Sequence, residues 1–337
     1  MNFKNKGRAF VVYQGVWGWK DFPEISIEPN SAESPASYKF VGKPEDAAKV
    51  IKAVYEIENE ELFDRQYAKA VSGNGNEAEK ILTLHSSSRL ALLTFYNVDE
   101  EHPITLNLEG RTVEFNFSTF EFKNPVIGYP SNMDVVLVST DRKTVLFLES
   151  KLSEYYMSAG NKSAAISTRY ATNKYSKCFY DPEWLESIGI DTTYNPDDSS
   201  QKEFVLSMKD NRINYLDGFK QMISHFIGIS RRIEETGKRI ASDNGEEADT
   251  ILSVVEDPES TIYLGEILYD RLRLPDGCDE LDPQDVLKDY GKLYSRLADK
   301  MNEQISSKRF IVLSEDLKYS EIFCKANIGA MTADFYG

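Results

Sequence analysis

The chain has 337 residues, 41% hydrophobic and 12% aromatic, which is ample for a buried core in one large or two modest domains. Its net charge of −16 weighs against indiscriminate binding to nucleic acid, and no run of eighteen apolar residues offers a membrane helix. Cys178, Cys278 and Cys324 are scattered, as are His85, His102 and His225, so neither a disulfide framework nor a zinc site is indicated and a cytoplasmic setting is expected.

In chain order, Lys4, Lys6 and Arg8 precede the apolar run Ala9–Tyr13, which reads as a strand rather than a secretory signal. Trp17 and Trp19 are packing residues by default. Residues 20–45, rich in Pro, Ser and Glu, read as a surface segment. A helix is expected from Pro44-Glu45-Asp46 through Tyr55, and a second over 60–71. Ser72-Gly-Asn-Gly-Asn76 breaks the chain sharply. A further segment begins at Glu77, and its second half, through Leu90–Phe95, reads as a helix capped by one of Ser86, Ser87 and Ser88.

Ile104–Leu108 and Thr112–Phe122 alternate apolar and polar residues around Glu109-Gly110, a hairpin pattern. Asp134–Ser139 and Thr144–Glu149 form the next pair of β-rich runs, around the polar turn 140–143. Residues 181–202 and 240–258 read as loops or insertions. An apolar stripe over 213–229 predicts a helix. Strands at Thr261–Tyr269 and Arg309–Leu313 enclose a long helical stretch, 283–305. The pattern is α/β, a mixed sheet flanked by helices. Residues 1–72 are expected to pack as an N-terminal elaboration on a core of 73–337, in one compact unit.

The chemistry concentrates in the second hairpin. A symmetric turn over 140–143 sets residue 140 across from 143 and therefore Asp134 across from Glu149. Opposed residues of an antiparallel pair hold their Cβ atoms about 4.5–5.5 Å apart, where two carboxylates repel unless a cation lies between them. Lys151, two residues beyond Glu149, points to the same side of the sheet. Two hard oxygen ligands and an ammonium on one spot suit Mg²⁺ or Mn²⁺ beside a phosphate. An odd-length turn or a bulge would turn Asp134 away. A structural Glu149–Lys151 ion pair would account for the same residues without catalysis.

Charge is uneven along the chain. Residues 142–180 carry seven Lys and Arg, Lys174 and Lys177 among them, against Glu149 and Glu154, a net of +5. Such a basic stripe could grip a phosphate backbone; the alternative is ordinary solvated surface charge.

Asp134 followed by Glu149-Ser150-Lys151 resembles the hallmark of the PD-(D/E)XK nuclease superfamily, the restriction-endonuclease-like fold, although Pro130 precedes the aspartate by four residues rather than one. Gly73-Asn-Gly-Asn-Glu77, His85-Ser-Ser-Ser-Arg-Leu-Ala-Leu92, Glu149-Ser-Lys-Leu-Ser-Glu154 and Tyr215-Leu-Asp-Gly-Phe-Lys-Gln221-Met-Ile-Ser-His225 resemble an uncharacterised bacterial branch of that superfamily, over roughly residues 73–229. The resemblance implies a restriction-endonuclease-like core and a Mg²⁺- or Mn²⁺-dependent nuclease of restriction or defence type, acting on DNA. It admits a homodimer that cuts both strands. Asp134 and Glu149 would hold the ion, Glu77 would assist, and Lys151 would orient or activate the attacking water. Gln221 and His225, four apart on one helical face, would approach the phosphate. Lys174 and Lys177, from the basic stripe, are the further candidates for phosphate contact. Two alternatives stay open: a non-catalytic nucleic-acid-binding or scaffolding protein on the same fold, and an acidic protein-interaction module.

Overall fold

The computed structural model describes residues 27–31, 34–72, 77–84, 86–126, 130–156, 163–209, 213, 215–234, 248–272 and 282–323. The run Ala9–Tyr13, Trp17, Trp19, the Gly73–Asn76 break and His85 lie outside them.

The segment expected as plain surface chain before residue 45 contains an antiparallel hairpin, β1 (Ile27–Ser31) with β2 (Ser34–Phe40). Helices Ala47–Tyr55 and Glu60–Ala70 follow, and the Gln66 amide donates to the Ser118 carbonyl at 3.3 Å, tying the second of them to the central sheet. Glu77–Lys80 makes one helical turn. Ser86 then caps the helix Ser87–Phe95, its hydroxyl accepting from the Arg89 N–H at 3.1 Å, so the cap is the first of the three serines.

Strands β3 (Ile104–Leu108), β4 (Arg111–Asn124), β5 (Ser131–Ser139) and β6 (Thr144–Lys151) run antiparallel in sequence order. The β3–β4 turn has Glu109 at φ 50° and Gly110 at φ 77°, the doubly left-handed turn whose twist matches a hairpin. At the β5–β6 turn the Asp141 carboxylate accepts from the Ser139 hydroxyl at 2.7 Å and the Lys143 N–H at 2.9 Å. That four-residue turn fixes an even register, pairing Val138 with Val145 through Val135 with Leu148, as the symmetric turn requires.

A smaller antiparallel sheet forms from β7 (Ser163–Ser167), β8 (Ile190–Thr192) and β9 (Glu203–Met208), with β9 central. The expectation of loops over 181–202 and 240–258 is corrected here. Asp181 caps a helix at Pro182–Ser187 whose Leu185 is buried, and Ala248–Glu256 is a helix burying Ala248, Ile251, Val254 and Val255. Acidic and polar neighbours masked a short periodic stripe in each.

Strands β10 (Thr261–Leu268), β11 (Phe310–Val312) and β12 (Leu317–Lys318) complete a curled mixed sheet in the order β11-β10-β6-β5-β4-β3, with β12 beside β10. β10 runs parallel to β6, joined through the helices Leu216–Glu234 and Ala248–Glu256. All eight residues of β6 are buried because helices cover both faces. Alternation along β6 divides the neighbours. Ser150 Oγ contacts the Ser87 carbonyl at 3.2 Å and the Tyr319 hydroxyl at 2.7 Å, whereas Glu149 and Lys151 turn to the Leu216–Glu234 helix.

Two glycines let that helix lie close. A Cβ on Gly218 would sit 2.3 Å from the Tyr290 hydroxyl, and one on Gly228 would sit 2.6 Å from Asn124 Cβ. Among the described residues no helix is long and apolar enough to cross a membrane.

Candidate active site

The β5–β6 ladder ends at Val135 and Leu148, and one position further along the same register come Asp134 and Glu149. There a side chain replaces the backbone partner, Asp134 Oδ2 accepting from the Ser150 N–H at 2.7 Å. Glu149 is 2% exposed, and both its oxygens are engaged: Lys151 Nζ donates to Oε1, and His225 Nε2 donates to Oε2 at 2.9 Å. Lys151 also donates to Gln221 Oε1 at 2.7 Å. Helical spacing has brought Gln221 and His225 to one face, as expected, and each holds one member of the buried pair.

These groups line a cavity of about 630 Å³. Asp134, Glu149, Lys151, Glu77, Gln221 and His225 all border it, so six of the eight residues singled out from sequence converge. Lys174 and Lys177 do not border it. Lys174 is held by Glu234 at 2.9 Å beside the Tyr175 ring, and Lys177 is exposed. Among the described basic residues of 142–180, only Lys151 borders the cavity, so that stretch lines no single cleft.

The cavity wall is rich in carboxylates. Besides those named, Glu121, Glu154 and Asp217 border it. Glu154 caps the chain after β6, its Oε2 accepting from the Leu152 N–H at 2.6 Å and the Ser153 N–H at 2.8 Å. Glu77 accepts from Lys80 at 2.6 Å. Three lysines border the cavity; Lys80 and Lys151 are paired, and Lys220 has no described hydrogen bond or ion pair.

Two residues that sequence reasoning missed complete a row across four strands. Glu121 lies on β4 between the rungs Phe120–Val135 and Phe122–Met133, opposite Asp134, and Glu266 on β10 pairs in register with Glu149. Only strand register discloses either residue. Glu266 is fully buried, accepts from the Tyr290 hydroxyl at 3.0 Å through Oε2, and leaves Oε1 without a partner.

Burial and mutual repulsion perturb the whole row. Burial, reinforced by the charge of Glu149, holds Asp134 well above the ordinary carboxylate range. Burial also pushes Glu121 and Glu266 up to about 7 each. Burial would raise Glu149 too, but the Lys151 ammonium and the His225 hydrogen bond outweigh it and bring the carboxyl down to about 2. Burial disfavours the Lys151 ammonium, yet the charges of Glu149, Asp134, Glu154 and Glu266 hold its pKa above the usual lysine range. Lys151 is therefore a cation and not a base.

Among the described residues no three His, Cys, Asp or Glu side chains are drawn together tightly enough to hold a metal ion by themselves. The donor chemistry nonetheless fits a hard divalent ion that keeps most of its waters. Asp134 Oδ1 and Glu121 Oε1 have no described hydrogen-bond partner, both residues border the cavity, and burial disfavours their charge. Compared with protein-family models, with curated proteins and with solved structures, the chain matches none of them.

Proposed function

We propose that this protein is a divalent-metal-dependent phosphodiesterase acting on DNA, built on a restriction-endonuclease-like core. The observation that carries the reading is the opposition of Asp134 and Glu149 on adjacent strands, with Lys151 and Gln221 joined at the same cavity. The helix before the antiparallel strands and the helix after the Lys-bearing strand support this reading, since the family resemblance implies both.

Asp134 and Glu149 would hold the ion, with Glu77 at the cavity edge. When bound, the ion polarises the phosphate and lowers the pKa of a coordinated water. Lys151 contributes a fixed positive charge toward the phosphate oxygens as negative charge develops. Gln221, its carbonyl oxygen committed to Lys151, presents an amide N–H₂ with no described partner, suited to donating to phosphate. His225 keeps Glu149 oriented. Lys220, one residue before Gln221, is an uncommitted cation for the backbone phosphate.

A second reading is favoured by two observations: both oxygens of Glu149 are already engaged, and the +5 stretch is dispersed. It is a binding or interaction protein on the same fold, without cleavage. Incubation of supercoiled and linear DNA with Mg²⁺ or Mn²⁺ separates the two. The wild-type protein is expected to cut, and Asp134→Asn, Glu149→Gln and Lys151→Met to lose about 100-fold or more. Equal activity in all four would expose a contaminant, and binding without cutting by the wild type would establish the second reading.

A further inference from the structure

Glu121 owes its place to a bulge. β4 and β5 start in a register that sets Phe115 opposite Ser139, and a shift at Asn116 then sets Phe117 opposite Val138. Continued unshifted, the first register would bring Phe120 opposite Asp134, plugging the wall with an aromatic ring. After the shift, Glu121 stands there, and Phe120 is buried at 4% exposure. Glu121 adopts φ 52°, a left-handed conformation that costs a non-glycine residue of order 1 kcal/mol or more inside a strand.

Backbone strain and a half-buried carboxylate beside two others cost folding free energy, and bulges and strain of this kind concentrate where a ligand is bound. Polar demand is also unmet at other residues of the same cavity. The Asn132 amide donates to Glu121 Oε2 at 3.0 Å, while Asn132 Oδ1 itself is buried and unpartnered. Ser131 Oγ and Nδ1 of His225, a side chain 3% exposed, are likewise buried without partners, and all three residues border the cavity. Buried polar atoms normally find water or an ion when protein supplies no partner.

We infer that Glu121 is a third carboxylate of the cation site, offering Oε1 beside Oδ1 of Asp134 to a divalent ion or its coordinated water. This rests on the metal-dependent reading above. The two oxygens without a described partner lie on β4 and β5, and would hold the ion while Lys151 and His225 still engage Glu149.

Mn²⁺ titration calorimetry at pH 8 tests the inference. Glu121→Gln is expected to weaken Mn²⁺ binding about tenfold or more. It should also raise the metal-free melting temperature, because the isosteric amide removes charge repulsion. A merely structural carboxylate would instead lower that temperature and leave the isotherm unchanged. Glu121→Asp, which restores the charge, is expected to recover part of the affinity. Loss of binding in Asp134→Asn with an unaltered isotherm in Glu121→Gln would overturn this inference and leave the phosphodiesterase reading standing. No Mn²⁺ binding by the wild type would overturn both.

Discussion

Glu149→Gln is the most informative single change to stability. The carboxylate is 2% exposed and Lys151 is 5% exposed, so the substitution leaves an ammonium buried without its nearest counter-charge. Removing one partner of a buried ion pair typically costs 3–5 kcal/mol. The charges of Asp134, Glu154 and Glu266, with the Gln221 hydrogen bond, remain to offset part of this. The perturbed pKa gives an independent figure: a fall from 4.5 to about 2 corresponds to roughly 3 kcal/mol in favour of the folded state at neutral pH. Because the folded-state pKa is depressed, that contribution is complete above pH 4.5 and disappears as pH falls toward 2. Urea denaturation at pH 7, followed by circular dichroism, should therefore show Glu149→Gln less stable by about 3 kcal/mol. The double variant Glu149→Gln/Lys151→Met should recover much of the loss, since no unpaired charge is left. A change below about 1 kcal/mol in the single variant would show the pair to be solvated and would refute the reasoning.

Glu266 has the opposite sign. Its folded-state pKa, raised from 4.5 to about 7, makes the folded protein bind more protons across that interval, so stability declines as pH rises through it. Glu266→Gln, which can still accept from Tyr290, should match the wild type near pH 4 and exceed it by about 3 kcal/mol at pH 8, read from urea midpoints; equal pH slopes in the two proteins would contradict this. Some slope should persist in the variant, because Glu121 titrates in the same interval. On the proposed DNA-binding reading, Lys220→Gln should weaken DNA binding and flatten its salt dependence by about one counterion, as measured by fluorescence anisotropy at several salt concentrations. Lys174→Gln, paired with Glu234 away from the cavity, should leave both unchanged, and an equal effect of the two substitutions would place the substrate path elsewhere.

The central hairpin was legible in the sequence because its information is local. Two β-rich runs around a four-residue polar turn admit one symmetric register, and that register placed Asp134 across from Glu149 and Lys151 on the same face. The helix carrying Gln221 and His225 was legible for a similar reason, its apolar stripe leaving polar residues four apart on one side. The β3–β4 hairpin, the capped helix Ser87–Phe95 and the strand at Thr261–Leu268 followed from the same local periodicities.

Tertiary structure alone decided the remainder. Lys174 and Lys177 are close in sequence to the strand carrying Glu149 and Lys151, yet the chain turns them out of the cavity, because charge density along a sequence carries no direction in space. Glu266 stands beside Glu149 only through a parallel crossover of more than a hundred residues, whose register no local pattern specifies. Glu121 faces Asp134 only because one bulge at Asn116 shifts every later pair of β4 and β5. Turns and helical stripes are short-range and are written in neighbouring residues; pairing across distant strands depends on how the whole sheet packs.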